Sequence, residues 1–259
     1  MNWNRYSKIA IALVVLLGAA APVAAVSVSG GDVPETVQVG QTQDVTYTVS
    51  DLYTSYDTWT LKGQTDLEQV TWTVTTYDVG GAQIDQTQYN AQNFSHPIAK
   101  SDDVAEVRVR LQGTTPEWSN WSFDPAQSLV LARFSETQQG GASSTIATDE
   151  ARPYTEDSQN ARQAIESATA AIDAASSSGA DPEEAQGLID NAVSAYDNGN
   201  FENAQSLAEQ AQTRAEGAQQ STEQTNLLLM VGGVVIALLI VAGIVYWYLN
   251  QRDTYDKLG

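Results

Sequence analysis

The chain has no cysteine among its 259 residues. A disulfide framework, a thiolate zinc site, a cysteine nucleophile and a lipid-anchoring cysteine are therefore excluded, and an exported domain must be stable from its core alone. Histidine occurs once, as His96. Beside Pro97 it reads as a loop residue, and no second histidine exists to complete a metal pair. Basic residues are scarce: Lys and Arg total 12 against 32 Asp and Glu, for a net charge of −20. Such a charge repels nucleic acid and anionic lipid, so no nucleic-acid partner is expected. The sequence also lacks G-x-S-x-G, H-E-x-x-H, a P-loop and a dinucleotide fingerprint. Its carboxylates are spread so widely that no pair stands out as a hydrolytic dyad. Asp102-Asp103 has no D-x-D-x-D loop around it and reads as solvated turn acids. No catalytic residue, cofactor or metal site is expected.

Long apolar runs are confined to the two ends. Arg5 and Lys8 precede the apolar Ile9–Gly18, and Val23-Ala24-Ala25 offers small residues for cleavage. That is the pattern of a secretory signal peptide over residues 1–25, with an uncleaved anchor as the alternative. Leu227–Leu249 runs for 23 residues without a charge. At ~1.5 Å per residue a helix of this length covers about 34 Å, enough for a ~30 Å hydrocarbon core. Tyr246, Trp247 and Tyr248 cluster at one end, followed by Arg252 and Lys257. The expectation is one transmembrane helix at 227–249, a cytoplasmic tail at 250–259, and single-pass location in the cell membrane with the N-terminus outside. Gly233 and Ala237 form a small-xxx-small pair, a candidate homodimer face.

Residues 26–137 read as strands. Val45, Tyr47 and Val49 alternate with threonine and serine, as do Val70, Trp72 and Val74. Val107, Val109 and Leu111 alternate with Arg108 and Arg110. Trp59 with Leu61, Val37 with Val39, and Leu129–Phe134 add shorter runs. Period two with β-branched and aromatic residues marks half-buried antiparallel strands. Gly30-Gly31-Asp32, Gly40-Gln41, Gly80-Gly81 and Asp124-Pro125 supply the turns. About seven strands in this span predict a β-sandwich, with a closed barrel as the alternative. Two sequons, Asn93-Phe94-Ser95 and Asn120-Trp121-Ser122, fall in expected loops and make Asn93 and Asn120 candidate N-glycosylation sites. Trp118, Trp121 and Phe123 are candidate ligand-contact aromatics; the alternative is a plug folded onto the sandwich core.

Residues 138–155 are rich in Gly, Gln, Ser and Thr and predict a flexible linker. Beyond them the apolar period lengthens to that of a helix. Ala161, Ile165, Ala168, Ile172 and Ala175 step by fours and threes, and so do Ala185, Ile189, Ala192 and Tyr196. Phe201, Ala204, Ala208, Ala211, Ala215 and Ala218 form a third stripe. Asp181-Pro182-Glu183-Glu184 predicts an N-terminus, and Asn200 another. Short turns between such helices predict an antiparallel three-helix bundle over 156–222. Its last helix either continues into the apolar run as a rod or hinges near Gly217.

Val33–Val49, VPETVQVGQTQDVTYTV, resembles the opening of archaeal immunoglobulin-like and CARDB-like surface modules. Gly199, Phe201, Ala204 and Ala211 resemble the turn and second helix of a tetratricopeptide-like hairpin. The low lysine and high acidic content resemble those of haloarchaeal secreted proteins. Together these imply a non-enzymatic, membrane-anchored cell-surface protein of multidomain α+β architecture. Its Ig-like sandwich would serve adhesion, envelope architecture or glycan or protein recognition. The alternative is an accessory subunit of a membrane complex, docking through its helices.

Overall fold

The computed structural model describes residues 25–138, 141–222 and 240–242. They divide into two units. One comprises the chain up to Trp118 together with Ser128–Tyr154; the other comprises Ser119–Gln127 and the chain from Thr155 onward.

The first unit is a sandwich of ten strands. These are β1 (Ser27–Gly30), β2 (Thr36–Gln38), β3 (Thr42–Ser50), β4 (Thr58–Gln64), β5 (Glu68–Tyr77), β6 (Gln83–Tyr89), β7 (Asn93–Ala99), β8 (Glu106–Thr114), β9 (Leu129–Thr137) and β10 (Ser143–Tyr154). They form two five-stranded sheets, in the orders β1-β3-β8-β5-β6 and β2-β10-β9-β4-β7. Every pairing is antiparallel except β2 with β10. The two-residue period does the sorting. In β3, Val45, Tyr47 and Val49 are buried while Asp44 and Thr46 are exposed. The inward rows of both sheets meet in one core. Tyr47 stands edge-on to Phe134 at 4.9 Å, and Trp72 meets Phe94 at 5.1 Å. Trp59 donates its indole N–H to the Leu52 carbonyl at 2.8 Å, which satisfies the one polar atom that it buries.

The expected linker over 138–155 is overturned. Ser143–Tyr154 is a strand, paired with β9 from Ser143↔Thr137 to Ala151↔Leu129 and with β2 through Arg152↔Thr36. Serine and threonine suit a strand whose outer face is wet, and backbone hydrogen bonds do not depend on side-chain apolarity. Ile146 and Ala147 turn to the core and anchor it. The sandwich thus extends past residue 137 to Tyr154, and omits Ser119–Gln127.

In the second unit, α1 is Glu156–Ser177 and α2 is Glu183–Asp197. A third helical run, α3, covers 201–222. Thr155 caps α1: its hydroxyl accepts from the Ser158 N–H, and Ser158 Oγ accepts from the Thr155 N–H. Asp181 Oδ1 accepts the Glu183 N–H at 3.2 Å, ahead of α2. Gly199, at φ +73°, makes the turn before Asn200, whose side chain accepts the Asn203 N–H. The buried stripes Ala161–Ala175, Ala185–Tyr196 and Ala204–Ala215 share one core.

The transmembrane expectation is corrected. Among the described residues, no helix is long and apolar enough to cross a membrane. Most of 227–249, with Gly233 and Ala237, lies outside the described residues, as do 1–24 and 243–259. The single-pass location, the bundle as a membrane stalk, and docking through a membrane helix lose their structural basis.

Candidate functional site

The two sheets present chemically different outer faces. On the first, each arginine has a carboxylate. Arg110 Nε donates to Asp44 Oδ1 at 2.8 Å, and its second nitrogen to Asp44 Oδ2. The Arg110 hydrogen bonds hold the Asp44 carboxyl below its usual range, against an opposing desolvation. Arg108 bonds Glu106 at 2.7 Å and lies over the Tyr77 ring at 4.6 Å. Thr46 and Thr73 flank Arg110; Thr48 and Thr75 flank Arg108. This face is polar and internally neutralised.

The second sheet carries two cations, Lys62 and Arg133, on its outer face. Across β7, β4 and β9, Gln64 lies opposite both Asn93 and Arg133, and Lys62 opposite both Ser95 and Ser135. Directly opposed residues of antiparallel strands point to one side. These six, with Ser143, line a shallow depression of about 290 Å³ that contains no carboxylate. Lys62 and Arg133 make no ion pair or side-chain hydrogen bond among the described residues. Gly63 faces inward beneath the depression, where a Cβ would lie 2.1 Å from the Phe94 ring. The site therefore offers hydroxyls, two amides and two free cations. It suits hydrogen bonding and charge recognition.

The aromatics expected to meet a ligand are used internally. Trp118 packs on the sandwich core. Trp121 stands edge-on to Phe201 at 4.9 Å, and Phe123 to Tyr196 at 5.8 Å. They plug a core, but it is that of the helices, not of the sandwich. Arg162 fixes them. It lies 4.3 Å over the Phe123 ring and donates to the carbonyls of Ser122 at 3.2 Å and Phe123 at 2.7 Å. Asp197 Oδ1 accepts the Phe123 N–H at 2.8 Å. Trp121 and Phe123 are thereby held half-buried against the core of the helices.

Asn93 is exposed but opens strand β7, where a loop was expected; Asn120 is exposed within Ser119–Gln127. His96 also belongs to β7 and faces inward at 8% exposure, with Tyr89 Oη 3.0 Å from its Nδ1. Burial lowers its pKa, and Asp85 opposes this weakly. On the same inward row, beyond Leu61, burial pushes the Glu136 carboxyl up. Asp103 sits at φ 54° after a short turn, and no cluster among the described residues could hold a metal. Lys62, Gln64, Arg133 and Ser135 were missed from sequence. The alternating LKGQ and ARFS carry the signal, but only strand pairing shows that they are neighbours.

No family model matches the sequence, and no curated protein matches it. Solved structures give distant likenesses. One is the sporulation control protein Spo0M of Bacillus subtilis, at 14% identity and TM-score 0.30, covering 55% of each chain. Another is a DUF4466 family protein of Parabacteroides merdae, at 15% and 0.31, covering 51% of this chain and 45% of that one. BslA, a bacterial hydrophobin, aligns at 13% and 0.26, over 50% of this chain and 100% of its own. The chain spans about half the length of the first two. Likenesses this weak carry no argument about activity or partners.

Proposed function

We propose that the protein is a non-enzymatic recognition module whose β-sandwich binds a glycan on the outer face of β7, β4 and β9. One observation carries this reading: a carboxylate-free depression lined by serines, amides and two free cations, on a rigid sheet. Hydroxyls and amides pair with sugar hydroxyls, and a sheet fixes their backbone so that only side chains are ordered at binding. The test is a glycan array probed with the full chain, followed by a reducing-end assay on every glycan bound. Binding without turnover is expected. Release of reducing ends, or binding that survives disruption of this face, would overturn the reading.

A further inference from the structure

We propose that the ligand of this face is an acidic polysaccharide, with its carboxylate or sulfate groups at Lys62 and Arg133 and its hydroxyls at Asn93, Ser95, Gln64 and Ser135. The inference rests on the glycan-recognition reading and narrows it to one ligand class.

The argument is one of charge economy. The chain has 12 basic residues against 32 acidic ones. Carboxylates are abundant enough to neutralise every cation, and on the first sheet they do. On the second sheet Lys62 and Arg133 remain unpaired. Both lie on one face, on adjacent strands and two residues out of register. That diagonal relation puts them about 7–8 Å apart at the backbone. Long side chains at this spacing can hold two anionic groups of one extended polymer, or close on one.

The depression's outward polar neighbours are hydroxyls and amides, and Phe94, its one aromatic ring, is only 3% exposed. A face with so little apolar surface suits a polyhydroxylated chain better than a peptide, whose docking draws on buried apolar side chains. Across the whole molecule the net charge of −20 opposes an approaching anion. Screening over about 8 Å at physiological salt leaves contact-distance attraction at Lys62 and Arg133 less weakened than the repulsion from distant acids.

Titration calorimetry in physiological salt tests this on the unglycosylated full chain. The probes are polygalacturonate, dextran sulfate, neutral dextran and polyglutamate. Lys62→Gln and Arg133→Gln are each expected to weaken binding of an acidic polysaccharide by about tenfold, and the pair by about a hundredfold. Arg108→Gln, on the neutralised face, keeps wild-type affinity. Equal urea midpoints verify that the variants are folded. Acidic-polysaccharide binding that ignores both substitutions overturns the inference. Neutral dextran bound by wild type as tightly as the acidic polysaccharides also overturns it, while leaving glycan recognition standing. Polyglutamate bound as well as the polysaccharides, and lost in the double variant, makes the ligand an acidic peptide. If no polysaccharide binds, both readings fall.

Discussion

Replacing Arg162 by Met should release Ser119–Gln127 from the helices while leaving the helices folded. Methionine keeps most of the volume, so the cavity term is small. What goes is the charge and its fork. Arg162 makes two hydrogen bonds to backbone carbonyls and lies over the rings of Phe123 and Tyr196 at 4.3 and 5.3 Å. A charged donor contributes roughly 1.5–3 kcal/mol per bond, and a ring contact about 0.5–2 kcal/mol. Water reaches the half-buried Ser122 and Phe123 and recovers part of the loss. Burying the guanidinium also has its own desolvation cost, which the variant avoids. A net loss of about 3 kcal/mol follows, on the order of a hundredfold in the opening equilibrium. The ion pair to Glu166 contributes little, because that carboxylate is 58% exposed. Hydrogen exchange read by mass spectrometry reports the outcome directly, since the Phe123 N–H is bonded to Asp197. The peptide over Ser119–Gln127 should lose about two orders of magnitude of protection, with α1 and α3 nearly unchanged; Glu166→Gln should resemble wild type. Unchanged protection at Phe123, or equal loss along all three helices, would refute the assignment.

Gly63→Ala forces a Cβ to 2.1 Å from Phe94, a ring held between Trp72 and Tyr89; overpacking should cost about 1–3 kcal/mol, read as a lower urea midpoint by tryptophan fluorescence. Gly187→Ala meets no atom within 4 Å on α2 and should instead stabilise the helices by about 0.5–1 kcal/mol, visible in their circular dichroism melt. The Tyr47 hydroxyl is buried without a hydrogen bond among the described residues. Tyr47→Phe should therefore leave stability unchanged or raise it by about 1 kcal/mol, and a clear loss would show that the hydroxyl has a partner. His96 has a folded pKa below its unfolded value of about 6.5, so as pH falls below that value the unfolded state binds the extra proton and stability drops. Urea midpoints between neutrality and about pH 5 should decline more steeply in wild type than in His96→Gln. Glu136, raised by burial, acts with the opposite sign: its contribution is present at low pH and lost as pH rises through its folded value. It is common to both proteins and cancels in the difference.

The strands most open to sequence reading were those that fill the core. Val45-Tyr47-Val49 and Val107-Val109-Leu111 alternate because one side of each faces the opposite sheet. β6, reading QIDQTQY, hid because it is an edge strand with little buried surface. β7 hid behind Pro97, which an edge strand tolerates because one side needs no ladder donor. β10 hid because its stability comes from β9 and β2 on either side, and composition does not record a neighbour. The helical stripes were legible for the converse reason: their buried positions repeat locally. The face proposed for recognition could not be found in one dimension. Lys62 and Arg133 are 71 positions apart in the chain and become neighbours only through the β4–β9 register.

The parallel pairing of β2 with β10 has a consequence for biosynthesis. Thr36 is made early, and its partner Arg152 emerges 116 residues later. β9, by contrast, is followed directly by β10, which starts at Ser143 and completes its ladder. During translation, therefore, β2 spends a long interval without its ladder partner, an invitation to intermolecular strand pairing. A chain stopped at Thr137, where composition suggests that the domain ends, would carry that vulnerability permanently. The nascent protein needs residues through Tyr154 before its sandwich can close, which makes the polar β10 the step that completes the second sheet.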